Sequence, residues 1–255
     1  MKTLMAAVTV AALTWTGGGA LAAERPRCAV PDYLLLSEYR LNHVFAAVSK
    51  QPQGSLRIAV LGTGSSALAG PDGPSSAYPA RLEAVLNQRL SGVTVKVITL
   101  LRTRMTAEDL SKDMGRLLVD ERPDLVIWQT GTIDAIRRIE PDNFKTALEE
   151  GVERLHNGGA DVILMNMQYS PRTESMIQVG PYADVMRAVA QHYEVPLFDR
   201  LGIMRHWSDV GAFDLYAAGK DNVLAARVHD CIGRAIATLI IDSGRLQAFQ
   251  LRAGQ

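Results

Sequence analysis

One alternation constrains this chain more than any other feature. Apolar runs at 56–61, 93–100, 124–130, 161–167 and 195–198 are separated by helical patterns at 77–90, 106–120, 142–157 and 182–193. A last helical stretch covers 221–241. Short runs that are apolar at nearly every position suit strands buried on both faces, as in a parallel sheet. Strand, helix and short connection repeated in this way predict the α/β class: a three-layer, doubly wound parallel sheet. In such sheets a site lies beyond the carboxyl ends of the strands, where strand order reverses. That rule selects a few loops.

Punctuation along the chain agrees. Thr106 precedes Asp109 by three, the spacing of a capping box with Asp in place of the usual Glu or Gln. Pro141 sits where a helix begins, and Asn157-Gly158-Gly159 sits where it ends. Ahead of the first strand, Leu34, Leu35, Tyr39, Leu41, Val44 and Phe45 give residues 31–50 a broad apolar face and predict one more helix.

With 255 residues and no long linker, the chain suits one α/β domain. Basic and acidic residues balance at 27 each, which excludes the clustered cationic surface of a nucleic-acid binder. Residues 1–22 read as a signal peptide, 23–54 as an N-terminal arm and helix, and 55–245 as the α/β domain. The signal consists of Lys2, an apolar run from Leu4 to Trp15, and the small-residue pattern Ala20-Leu21-Ala22. Its apolar run is short for a membrane span, so no transmembrane segment is expected after cleavage. An uncut anchor is the alternative. The expectation is an exported, periplasmic or secreted protein. In an oxidising compartment Cys28 and Cys231 can bridge the arm to the last helix, or can remain separate thiols.

The stretch LRIAVLGTGSSALAG, 56–70, follows the first strand and admits two chemistries. Gly62-Thr63-Gly64-Ser65-Ser66-Ala67 fits a dinucleotide-binding pattern, but that needs a helix immediately afterwards to meet the pyrophosphate. Pro71-Asp72-Gly73-Pro74 intervenes, the second strand ends without an acidic residue, and no Walker lysine follows. The other chemistry is a serine exposed on a sharp turn among small residues, with backbone N–H groups free to bind an oxyanion.

Gly64-Ser65-Ser66-Ala67-Leu68-Ala69-Gly70 resembles the first block of the SGNH, or GDSL-type, hydrolase superfamily, whose usual form is G-D-S-L-T-x-G. Gly64, Ser66 and Gly70 match, and Ser65 stands in place of the aspartate. The resemblance implies a flavodoxin-like SGNH architecture, a nucleophilic Ser66, and an oxyanion hole that includes the Ser66 N–H. Other blocks depart from the pattern. LLRTRMTAED lacks the second-block glycine, and Gly131-Thr132-Ile133-Asp134 puts isoleucine where G-x-N-D has its oxyanion-donating asparagine. One such donor contributes about 2.7–4 kcal/mol to the transition state. Gly64, Thr103, Thr132, Gln168 and His206 are the oxyanion or pocket candidates; Arg102 and Gln129 are further substitutes for the missing donors.

The family's D-x-x-H is missing too, its histidine falling near Val223 or Leu224. Of five histidines, His156 and His192 sit in last helical turns, where a cation suits the helix dipole, and His43 lies in the N-terminal helix. His229 is the candidate base, with His206 second. The adjacent Asp230 points elsewhere on a helix, leaving Asp214, Asp221 or Asp134 as orienters. No Cys/His cluster or carboxylate pair has metal-binding spacing, so neither metal nor cofactor is expected. The resemblance thus implies a serine esterase or acyl hydrolase acting on a small-molecule carboxylic ester, such as an acetylated sugar or lipid ester. The departures imply the rival: a lapsed member of the same fold, kept for binding or scaffolding in the cell envelope.

Overall fold

The computed structural model describes residues 28–50, 53–216 and 222–250. The expected signal peptide therefore lies outside the described residues, as does Asp221. Five parallel strands form one sheet: β1 (Gly54–Gly62), β2 (Val93–Leu101), β3 (Leu125–Gln129), β4 (Asp161–Met165) and β5 (Leu197–Phe198). Their order is β2-β1-β3-β4-β5. The chain leaves β1 toward β2 and then returns across it to β3, so strand order reverses beside β1. The loops after β1 and β3 face each other there. β3 and β4 are buried at every residue, whereas the edge strand β2 alternates buried and exposed, as a strand covered mainly on one face does.

Ten α-helices are described: α1 (Asn42–Val48), α2 (Gly73–Ser76), α3 (Tyr78–Arg89), α4 (Ala107–Glu121), α5 (Thr132–Arg137), α6 (Pro141–Asn157), α7 (Pro171–Met176), α8 (Gly180–His192), α9 (Arg200–Asp209) and α10 (Val223–Ser243). α3 packs against α10, while α4, α6 and α8 pack in sequence with one another. Right-handed crossovers running in opposite directions from β1 put these two groups on opposite faces. The result is the three-layer α/β architecture expected.

The main departures lie at the ends. A short 3-10 turn at Asp32–Leu34 and the helix α1 replace the single helix anticipated over 31–50. The arm is instead tied down at separate points. Cys28 is disulfide-bonded to Cys231, and Trp207 Nε1 donates to the Ala29 carbonyl at 2.9 Å. The Asp161 carboxylate accepts from the Val44 N–H in the first turn of α1. β5 shrinks to two residues behind Pro196, which has no N–H to donate. His206 and Trp207 lie on α9, with Trp207 packed edge-on against Phe213 in the interior.

Candidate functional site

Glycine and serine after β1 build the floor of the site. β1 ends at Gly62, the chain makes one 3-10 turn over Gly64–Ser66, and Ser66 folds back beneath the strand. A Cβ on Gly62 would come within 2.2 Å of Ser66 Oγ, so only glycine permits that return. Ser66 is 1% exposed, and its hydroxyl points inward. It donates to Gln129 Oε1 at the end of β3 and lies 2.9 Å from the Tyr78 hydroxyl. Since the single Ser66 proton is engaged by Gln129, Tyr78 is the donor in that second bond. The serine proton thus rests on a neutral amide oxygen, which is no base.

His229 lies on α10 and packs its ring 5.7 Å from that of Tyr78. Its Nδ1 accepts the Tyr78 N–H at 3.0 Å, which fixes the neutral tautomer with the proton on Nε2. Burial, and then the nearby Arg200 guanidinium, push the His229 imidazole down to about 3. Among the described residues, no hydrogen bond joins Ser66 to an imidazole. Ser66 and His229 are brought to the same neighbourhood, with Tyr78 between them: hydroxyl to one, backbone to the other.

The remaining candidates scatter. Gly64 is exposed at the turn, and Thr103 is exposed after β2. Arg102 pairs with Asp113 at 3.7 Å on the surface. Thr132 is half-buried at the start of α5, beside Gly131, whose φ of +96° only glycine takes readily. Ile133 is half-buried there and supplies no donor. Asp134 is buried and accepts the Ala107 N–H at 2.9 Å, so it caps α4 rather than orienting a histidine; burial raises its carboxyl. Asp230 pairs with Arg234 along α10. His206 sits in the last turn of α9, outside the pocket that contains His229.

That pocket, about 290 Å³, opens at the carboxyl edge of the sheet. Gln168, Ser170, Arg200, Asn222 and His229 are among its polar lining, and Leu215, Leu224 and Val228 among its apolar lining. Leu224, near where the family's histidine is expected, lies on the first turn of α10. Arg200 escaped the sequence reading. It is 1% exposed and donates to the Ser65 carbonyl at 3.1 Å, to Ser65 Oγ at 3.3 Å and to Gln168 Oε1 at 3.5 Å. Ser65 Oγ also accepts from Gln129 Nε2, which links the arginine to the Ser66 cluster. The available signal was Arg200 following the N-cap Asp199. A cation in the first turn of a helix opposes the helix dipole, so its presence asks for another reason. Tyr78 carried no comparable signal.

The family model for non-GDSL lipase-like proteins matches residues 27–245. The chain belongs to the non-GDSL lipase-like family. No curated protein matches it. Among solved structures, this lipase-like chain is similar to the lipase/acylhydrolase from Enterococcus faecalis, at 18% identity and a TM-score of 0.56. That match covers 78% of this chain and 100% of the other. It is also similar to an acetylxylan esterase from Geobacillus stearothermophilus, at 15% identity and a TM-score of 0.58, covering 72% and 94%. A protein of the G-D-S-L family from Desulfitobacterium hafniense matches at 15% identity and a TM-score of 0.55, covering 72% and 98%. These likenesses establish the SGNH-type fold. The family match makes this lipase-like protein a divergent member of that fold, whose similar solved structures include esterases and lipases.

Proposed function

We propose that this chain is an exported member of the ester-hydrolase class that binds a small ester- or acid-bearing ligand at the carboxyl edge of its sheet without cleaving it. One observation carries this reading. The Ser66 hydroxyl is turned inward, its proton held by Gln129 and its oxygen by Tyr78, and among the described residues no imidazole hydrogen-bonds to it. A serine nucleophile needs a base within hydrogen-bond reach of the proton it loses. Here that place is taken by an amide oxygen. The apolar Ile133 and Leu224, at or near the positions where a hydrolytic member carries Asn and His, point the same way. Export is supported by the apolar run from Leu4 to Trp15 and by the Cys28–Cys231 bridge, which persists in oxidising compartments.

Family membership favours a second reading: hydrolysis of a small carboxylic ester by Ser66, with His229 as base after the Tyr78 contacts rearrange. A fluorophosphonate probe and short p-nitrophenyl esters separate the two. The binding reading expects no labelling and no turnover above that of Ser66→Ala. Rapid labelling, or turnover lost in Ser66→Ala, would establish the second reading instead.

A further inference from the structure

Arg200 is a buried cation with no anion paired to it among the described residues. Among the described residues no carboxylate lies within ion-pair distance of it, and its Nε–H has no hydrogen-bond partner. The acid next to it in sequence is committed elsewhere: Asp199 accepts from Asn166 Nδ2 at 2.6 Å and from the Gly202 N–H at 2.9 Å. The three hydrogen bonds Arg200 makes to described residues are to neutral oxygens, two of them at 3.3 Å or longer. The Tyr78 ring, 5.7 Å from the guanidinium carbon, supplies a partial counterweight. A buried charge in this state is costly unless something negative completes it.

The same pocket holds a second unused donor. With Nδ1 occupied by the Tyr78 N–H, His229 carries its proton on Nε2, and no described group accepts it. Arg200 and His229 line the pocket beside the polar Ser170 and Asn222, and Leu215, Leu224 and Val228 are among its apolar lining. A planar guanidinium fork matches a carboxylate in two-point geometry, and the apolar walls suit a hydrocarbon chain. We propose that Arg200 and His229 form the anion-binding end of a pocket for a carboxylate bearing a short apolar tail. The proposal rests on the binding reading of this site and names its ligand class.

Calorimetric titration of the mature protein with hexanoate and with hexanamide, at constant ionic strength and neutral pH, tests it. Hexanoate should bind at least ten-fold more tightly than the isosteric neutral amide, and Arg200→Gln should bring the two within about two-fold. Equal affinities in the wild type, or discrimination that survives in Arg200→Gln, would overturn the proposal. Should Arg200→Gln not fold, Leu224→Trp fills the tail end and leaves the guanidinium in place. It should abolish hexanoate binding, and full retention would overturn the proposal as well. Hydrolysis of p-nitrophenyl hexanoate by the same preparation keeps the two claims apart. Turnover dependent on Ser66 overturns the binding-only reading while leaving the Arg200 site intact with hexanoate as product; loss of discrimination overturns the site alone.

Discussion

The Tyr78 hydroxyl and the Ser66 Oγ lie 2.9 Å apart in the interior, and Tyr78 has no exposed surface. Ser66 is the phenol's hydrogen-bond partner, and burial raises the phenol's pKa, so it stays protonated and donates. Ser66→Ala should therefore destabilise the fold by about 1–3 kcal/mol, the cost of stranding a buried donor. Tyr78→Phe should cost about 1 kcal/mol, because Ser66 keeps Gln129. In urea unfolding the double variant should fall well short of the sum of the singles, the sign of a coupled pair. Additive costs would mean that the two hydroxyls do not depend on each other.

His229 gives stability a pH dependence of defined sign. Its folded-state pKa, about 3, lies below the ordinary 6.5 because of burial and the Arg200 charge. Between those two values the unfolded chain takes up a proton that the folded chain refuses. Stability contributed by the neutral ring is therefore present above pH 6.5 and is lost as pH falls toward 3, by on the order of 1 kcal/mol per pH unit. Asp134 and Asp161, both raised by burial, act in the opposite direction. Comparison with His229→Gln cancels them, since Gln can still accept the Tyr78 N–H but cannot titrate. Wild type should lose stability relative to that variant from pH 6.5 to pH 4; parallel curves would contradict the buried neutral ring.

The layers of the fold were legible because burial writes itself into sequence. β3 and β4 read as continuous apolar runs since both their faces are covered, and each lies within the run that announces it. Local chemistry was legible at Thr106 and Asp109, whose side chains and backbone close the capping box the spacing implied. The site was legible only as a place. Sequence puts the loop after β1 at the carboxyl end of the sheet but gives no rotamer, and the inward turn of Ser66 depends on Gln129 and Tyr78, 63 and 12 residues away. Arg200 was missed for the same reason: its contacts with Ser65 span 135 residues. The apolar 31–50 pattern misled in part because the bridge and the Trp207 contact hold the arm's start, so helix forms only where Leu41, Val44 and Val48 reach the core.

The capping box at α4 offers a local test. Thr106 Oγ1 accepts the Asp109 N–H at 3.2 Å, and the Asp109 carboxylate accepts the Thr106 N–H at 3.0 Å. Thr106→Ala removes the first bond and should lower stability by about 0.5–2 kcal/mol, measured by chemical denaturation. α4 leads directly into β3, on which Gln129 stands, but the Asp134 carboxylate still holds the Ala107 N–H. Ligand binding in the Arg200 pocket should therefore be unchanged. A variant of unaltered stability would show that the box adds nothing to that Asp134 cap.

The Cys28–Cys231 bridge closes a loop of 203 residues, nearly the whole described chain, with Cα atoms 5.0 Å apart. A cross-link over so long a span removes much of the freedom of the unfolded chain, so Cys28→Ser/Cys231→Ser should cost about 2–5 kcal/mol of stability. Thiol titration of denatured, unreduced protein should find no free sulfhydryl, and two after reduction; two before reduction would refute the bridge. The loss should fall on the unfolded state more than on the site. Trp207 Nε1 still holds the Ala29 carbonyl, and Ile232, Ile236 and Ile240 keep α10 seated in the core. His229, two residues from Cys231 on that helix, should then keep its place against Tyr78. The double variant, measured well below its lowered unfolding midpoint, should bind hexanoate as tightly as wild type. Weaker binding there would mean that the bridge sets the position of α10 itself.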